Sequence, residues 1–422
     1  MKIDHLVEMY IPKSKQMKLL VITSLAWMIG AAGVMVLTFA VPDIISEWNV
    51  STAVMSTIIS STFMGMLIGA LSSGILIDFF GRKNGTLFYL AFSILFTFLF
   101  GFSNSPQVAI ILRFLSGIGY GGLLPAVNTY LSEYTSIRIR GRYLVLLEAS
   151  WAVGSILIAW FAVTIAEEFG WRWNFWIFLV GLLIFPFIIP EKETPKYIFK
   201  KFGKERIEKI FGELKDDIEP IEESRITIAS LFTRRHIRKT LLVTVSWFTV
   251  SFVYYALFSW APKIFVSQLG ISIMQAKWFT FFMYVAQLPG YLSVAYLIEK
   301  IGRKMTLSMY FSGMGISALA LFFVSGNLSF LIVMLVISFF TLGVWGMVYA
   351  YTPELFPTSF RGTANGYAGA MARIAGIIAP YFTGYFIDKS VSVALTIIAI
   401  ISLIVGFLVF PLGEETKAKP VN

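Results

Sequence analysis

Three ionisable side chains stand inside long apolar stretches of the sequence. Arg373 lies in MARIAGIIAP (371–380), Glu148 in YLVLLEASWAVG (143–154) and Arg113 in IILRFLSGIG (110–119). A charge in such surroundings is a functional hypothesis by default. A guanidinium can hold a carboxylate through two parallel hydrogen bonds. A carboxyl group at low dielectric has a raised pKa and can carry a proton. Arg373 stands twelve residues past Arg361, roughly 18 Å further along a helix, and Glu148 eight past Arg140, roughly 12 Å. Arg373 is therefore a candidate anion clamp, with a structural ion pair to Glu148 as the competing reading. Glu148 is a candidate proton carrier, or the partner of an arginine or of a neighbouring helix. Asp43 falls near the end of its run and reads as an interfacial or capping residue.

A second set of charges recurs. EYTSIRIRGR (133–142) and ELFPTSFRGT (354–363) both place Glu seven residues before Arg-Gly. Glu133 and Glu354, Arg140 and Arg361, and Gly141 and Gly362 are each 221 apart. IDFFGRK (77–83) and IEKIGRK (298–304) repeat the offset, with Asp78 against Glu299 and Arg82 against Arg303. Two motif pairs with one offset indicate an internal duplication. These charges, with Arg142 beside them, are expected to latch two bundles at one membrane face, pairing when that face closes and parting when it opens. The competing reading is that they only set topology and cap helices.

The elements that position these groups are set by composition. Of 422 residues, 57% are hydrophobic and 14% charged, against roughly 45–50% and 25% in soluble proteins. Runs near 19–41, 52–78, 85–102, 106–132, 143–166, 171–190, 240–262, 275–298, 305–325, 329–352, 364–387 and 391–412 each approach the ~20 residues a membrane helix needs. They are continuous rather than alternating, so helices are expected and not a barrel. The expected fold is an all-α polytopic membrane protein. It has twelve transmembrane helices in two pseudo-symmetric six-helix bundles, 1–190 and 240–422, joined by a linker over 191–239. Ile198, Ile207 and Phe211 space that linker as short amphipathic helices.

Charge fixes the orientation. Of 34 Lys and Arg, 28 fall in the termini and even-numbered connections and four, including Lys277, in the odd ones. The positive-inside rule then puts both termini in the cytoplasm. The net charge of +10 is thus a topology signal with some attraction to anionic lipid, and no nucleic acid is expected. The apolar run after the N-terminal segment is too long for the core of a cleaved signal. There is no Cys, and the two histidines, His5 and His236, sit in polar segments. No metal site, cofactor or catalytic constellation is expected. No G-x-x-x-x-G-K-[ST] loop is present, which excludes an ATP-driven pump on this chain.

The residues carry a resemblance. GILIDFFGRK (74–83) resembles the loop signature of the major facilitator superfamily, with Phe79 where a basic residue is usual. RFLSGIGYGG (113–122) resembles its fourth-helix pattern. YLSEYTSIRIRGR, ETPKY (193–197) and PELFPTSFRG (353–362) are similar to the branch of sugar porters, aromatic-acid symporters and organic-ion transporters. Sugar porters carry a seventh helix rich in Gln and Asn, whereas SWFTVSFVYYALFSWAPKIF (246–265) contains neither. RGRYLVLLEASWAVG, AQLPGYLSVAYLIEKIGRK and MARIAGIIAP look like the nicotinate-type metabolite:proton symporters and organic-ion carriers. The resemblance implies an arginine at the Arg373 position in organic-anion carriers, and proton handling or helix packing for Arg113. Proton-coupled relatives often carry an acid in the first helix, and WMIGAAGVM (27–35) has none.

The expectation is a secondary carrier on the plasma membrane, a monomer and not an enzyme. It would move a small organic anion, such as an aromatic carboxylate of nicotinate type, by rocker-switch alternating access, with protons as coupling partner through Glu148 and Arg113. Trp27, Asn128, Trp151, Tyr254, Tyr255, Gln287, Trp345, Tyr349 and Tyr351 are expected to line the substrate cavity with Arg373. Together these side chains suit a flat aromatic ligand better than a polyol. A sugar:proton symporter is the alternative among carriers. A non-transporting receptor or sensor is the alternative of another class.

Overall fold

The computed structural model describes residues 3–211 and 227–417, with the side chains at 3–5, 211 and 358 outside that description. Every regular element among the described residues is helical. Apolar backbone can cross a bilayer only if its polar groups bond internally, and helices do this within each segment. Among the described residues twelve crossing segments follow in order. Span 1 is Lys13–Trp48, span 2 Thr52–Phe80, span 3 Arg82–Phe100, span 4 Pro106–Tyr134, span 5 Ile137–Thr164 and span 6 Trp173–Ile188. Span 7 is Ile237–Phe258, span 8 Ile273–Ile301, span 9 Arg303–Ala320, span 10 Asn327–Leu355, span 11 Arg361–Ile387 and span 12 Val391–Leu412. Ten of these are long and apolar enough to cross by length and composition alone. Spans 6 and 9 are the shorter two. The middle of span 6, Ile177–Ile184, winds as a 3₁₀ helix. Its rise of about 2.0 Å per residue stretches a short segment toward the ~30 Å hydrocarbon thickness.

The duplication in the sequence is a duplication of contacts. Arg82 Nε lies 2.9 Å from Glu133 Oε2, and Arg303 Nε lies 3.0 Å from Glu354 Oε2. The Nη1 groups of both arginines donate to the carbonyls of Ile77 and Ile298, each at 3.2 Å. Gly81 and Gly302 make the turns between spans at φ 101° and 90°, values open to glycine and strained for other residues.

Two compact units are distinguishable. Residues 3–36, 61–158 and 172–211 form the first, and 37–60, 159–171 and 227–417 the second. Within the first, spans 2 and 4 meet backbone to backbone. A methyl group added at Gly65, Gly69, Gly117 or Gly121 would lie 2.0–2.1 Å from a carbonyl oxygen of the facing helix. Small residues at such crossings let membrane helices approach, where packing and not water expulsion drives association.

The linker begins as a helix, Pro195–Phe211, bent at Gly203, where φ is 77°. Its Ile198 and Ile207 are buried against Leu6 of the N-terminal helix Ile3–Tyr10. A 3₁₀ turn, Ile228–Phe232, precedes span 7. The linker stretch 212–226, the Phe211 side chain and the tail 418–422 lie outside the described residues.

Candidate substrate site

Span 7 supplies the aromatic wall that its sequence announces. Tyr254 packs on Tyr255, Phe258 and Trp345, with ring centroids 5.2, 4.6 and 6.2 Å away. From span 10, Trp345 stacks on Tyr349 at 5.7 Å. Phe258 continues the chain of rings to Tyr284 of span 8 at 5.3 Å. Gln287 lies three residues past Tyr284 and is fully buried, and neither its amide nitrogen nor its amide oxygen has a partner among the described residues. Leaving both ends of a buried amide unbonded costs about 1–3 kcal/mol per group, so Gln287 is poised to bond something polar.

Arg373 stands on span 11. Its Nη1 donates to Gly369 O in its own helix at 3.2 Å, and its Nε has no partner among the described residues. The guanidinium charge acts on the Tyr255 hydroxyl. All these side chains belong to the second compact unit. Trp247 belongs with them, although nothing in the opening analysis singled it out. It meets Tyr349 at 4.7 Å and Trp345 at 5.5 Å, and its Nε1 donates to Thr352 Oγ1 at 2.8 Å. Its signal was its place in 246–265, one turn before Ser251 on the stretch already noted for aromatics. Tyr351 stands apart from the rings. Its hydroxyl donates to the Glu414 carbonyl at the end of span 12.

In the first unit, Trp27 is buried with its Nε1 unpartnered among the described residues, while Asn128, Glu148 and Trp151 are half-buried. Arg113 is fully buried. Its Nε donates to Thr62 Oγ1 at 2.9 Å and its Nη1 to Gly33 O at 3.2 Å, with the guanidinium over the Phe100 ring. It therefore cross-links spans 1, 2 and 4, beside the glycine contacts that bring spans 2 and 4 together.

The recurring charges gather on the side of the termini, each set inside its own unit. Arg82 bridges Asp78 at 3.0 Å and Glu133, and Arg303 bridges Glu299 at 3.0 Å and Glu354. Arg140 donates to the Thr135 carbonyl at 3.2–3.3 Å, Arg142 is exposed, and Arg361 Nε is buried without a partner among the described residues.

Sequence reasoning missed two residues of this network. Glu193 accepts from the Lys83 amide at 3.0 Å, and Glu415 accepts from the Arg303 and Lys304 amides at 3.0 and 3.1 Å. Each carboxylate thus holds the exposed N–H groups at the start of a span, as a helix N-terminus favours. Thr194 and Thr416, the next residues, donate to Glu133 at 2.7 Å and Glu354 at 2.5 Å. Burial pushes the Glu193 carboxyl above its usual range. Burial works the same way on Glu415, but bonds from the backbone N–H groups of Lys417, Arg303, Lys304 and Thr416 outweigh it and bring that carboxyl below its usual range.

On the opposite side the structure revises two expectations. Lys277 is not a connection residue. It lies in the first turn or so of span 8 and is 4% exposed. Asp43 is not a cap: it lies inside the helix Leu37–Trp48 at the far end of span 1, where its carboxylate pairs with Lys277 at 2.9 Å, and Glu167 pairs with the same ammonium at 2.7 Å. Among the described residues no three of His, Cys, Asp and Glu gather as a metal site.

The chain matches the sugar (and other) transporter family over residues 7–422. It is similar to the niacin transporter NiaP of Acinetobacter baylyi, at 33% identity over 96% of this chain and 95% of that protein. A relative from Bacillus subtilis, whose name assigns it provisionally to niacin/nicotinamide transport, is 35% identical over 95% of this chain and 97% of its own. The inward-open xylose transporter XylE from E. coli has the same fold, with a TM-score of 0.77 over 96% of this chain and 98% of XylE at 17% identity. These matches are transporters and not enzymes. The chain belongs to the sugar (and other) transporter family and is a multi-pass membrane transporter of the major facilitator superfamily.

Proposed function

We propose that the protein carries a small aromatic carboxylate of nicotinate size across the plasma membrane. The single observation that carries this reading is Arg373, a guanidinium inside a span whose Nε has no partner among the described residues. Its charge acts on Tyr255, whose ring meets Tyr254 in the chain of rings that runs on to Trp345 and Tyr349, and span 8 of the same unit offers the unbonded amide of Gln287. Arg373 would clamp the carboxylate, the rings would face the aromatic plane, and Gln287 would bond a ring heteroatom or the second carboxylate oxygen. Trp27, Asn128 and Trp151 are proposed to serve the same substrate from the first unit. The names of the two niacin relatives favour the same ligand class.

Alternating access fits the charge sets. Bundle 1–190 would rock against bundle 240–412 about the linker, with both termini cytoplasmic and the protein working as a monomer. The Arg140 and Arg361 ends would pair across the bundles when the cytoplasmic side closes, and the Asp43–Lys277–Glu167 cluster would have to part when the other side opens. Glu148 is the proposed proton carrier, with Arg113 holding the packing around it.

Uptake of labelled nicotinate and labelled glucose into proteoliposomes, each with and without an inward proton gradient, tests the proposal. Nicotinate uptake that rises with the gradient supports it. Glucose uptake without nicotinate uptake would return the chain to a sugar:proton symporter. Binding with no flux of either would make it a receptor.

A further inference from the structure

A cavity lies on the side of the termini, far along the chain from the candidate substrate residues and wholly inside the first unit. It measures about 610 Å³, and Phe80, Lys83, Lys201, Phe202, Arg206 and Lys209 are among its walls. That volume falls within the range of roughly 300–1,000 Å³ of small-ligand sites. Five cations from three stretches converge here: Lys83 at the start of span 3, Lys192 just past the end of span 6, and Lys201, Arg206 and Lys209 of the linker helix on both sides of its Gly203 bend.

The acids on the same walls are occupied elsewhere. Glu191 pairs with Lys18 at 2.5 Å, and Glu193 accepts from the Lys83 and Thr194 amides. Two of the ammonium groups rest on neutral partners. Lys201 Nζ donates to the Phe79 carbonyl at 2.7 Å and the Tyr197 hydroxyl at 2.8 Å, and Lys83 Nζ donates to the Ile189 carbonyl at 3.1 Å. The positive charge of the cavity is therefore available to an anion.

Its surroundings say which anion. Spans 2, 3 and 6 all end here, so the cavity sits at the level of lipid headgroups. Around its mouth stand Phe79, Phe80 and Phe202, exposed to 66%, 53% and 55%. Rings this bare beside cations suit a ligand with a charged head and apolar tails, and basic pockets at helix ends on this side suit anionic headgroups. We infer that this cavity binds the phosphate headgroup of an anionic membrane lipid, with the three phenylalanines against its acyl chains. The lipid would tie the linker helix to the turn between spans 2 and 3, which carries Arg82 and Gly81.

Lipid binding to the full-length, delipidated protein in detergent, read by native mass spectrometry, tests this. Phosphatidylglycerol and phosphatidylcholine of the same acyl chains are compared, with glycerol 3-phosphate and inorganic phosphate as soluble competitors. The expected result is retention of phosphatidylglycerol over phosphatidylcholine, undisturbed by the soluble phosphates. Removing two cations in Arg206→Gln/Lys209→Gln should weaken it roughly 30-fold, on the order of fivefold per basic side chain near an anionic surface. Lys304→Gln, the counterpart of Lys83 in the other half, should leave it unchanged. Equal retention of the two lipids, or a double variant that binds as the native chain does, would overturn the inference. Displacement by soluble phosphate at lipid-like concentration would make the site one for a free anion and would overturn it as well.

Discussion

Lys277 Nζ lies 2.9 Å from Asp43 Oδ2, joining the start of span 8 to the far end of span 1. Glu167 shares the same ammonium. Removing the cation in Lys277→Met leaves two carboxylates facing each other without compensation. Breaking a fully buried pair costs about 3–5 kcal/mol, and the partly exposed acids here bring the expectation down to about 2 kcal/mol. Thermal unfolding of the purified variant should show a lower Tm, partly restored by adding Asp43→Asn. A Tm equal to that of the native chain would show the cluster to be idle.

The two arginine clamps are matched in bonds but not in burial. The side chains of Arg82 and Glu133 are 7% and 10% exposed, against 14% and 25% for Arg303 and Glu354. A charge stranded in the drier site is worse placed. Arg82→Gln should lower the Tm more than Arg303→Gln, and the reverse order would deny that burial decides the cost.

Glycine contacts give a sharper contrast. A Cβ at Gly117 would lie 2.1 Å from the Thr62 carbonyl, while one at Gly366 meets nothing within 4 Å. Gly117→Ala should push spans 2 and 4 apart, with strong loss of folded protein. Gly366→Ala should be neutral or stabilising by about 0.5–1 kcal/mol, since alanine is the better helix former. Fluorescence-detected size exclusion of both variants checks this.

The paired caps should separate with pH. Glu193 titrates above the usual carboxylate range because burial disfavours its charge. It thus adds stability below that range and loses it as pH rises through its raised pKa. Glu415 titrates below the range. Burial alone would raise it, but four backbone N–H bonds prevail. Its contribution is present above the range and lost only as pH falls through the lowered pKa. On acidification from neutrality Glu193 takes up its proton first, and its hold on the Lys83 amide weakens first. Hydrogen exchange read at Lys83 and Lys304 should change at a higher pH for Lys83. Simultaneous changes would refute the assignment.

Much of this was legible in the sequence because membrane helices announce themselves by length and apolarity, and because the 221-residue offset ties Arg82 to Arg303 and Glu133 to Glu354 without a structure. What stayed hidden follows from distance. Glu193–Thr194 and Glu415–Thr416 repeat at 222, one residue off the main offset, so a strict register passes over them. Lys277 lies two residues inside a predicted span edge, within the ordinary uncertainty of helix ends. Its partner Asp43 belongs to the other half of the repeat, and periodicity along one helix cannot pair them. Arg373 and the rings of span 7 could be named from sequence. The unbonded state of Gln287 could not, and Trp247, though inside the quoted 246–265 stretch, could not be given its ring contacts, because both depend on which faces meet across spans 7, 8 and 10.

The most direct measurement is equilibrium binding of labelled nicotinate to the purified protein, compared among the native chain, Arg373→Lys and Arg373→Ala, with nicotinamide as the uncharged competitor. Truncating one side of a desolvated charge pair is worth about 2–5 kcal/mol, so Arg373→Ala should weaken nicotinate roughly 30-fold or more. Arg373→Lys should fall between, because an ammonium keeps the charge but loses the planar fork. Nicotinamide should compete weakly against the native chain and gain relative ground in Arg373→Ala. Nicotinate affinity unchanged in Arg373→Ala would contradict the carboxylate clamp on which the account rests.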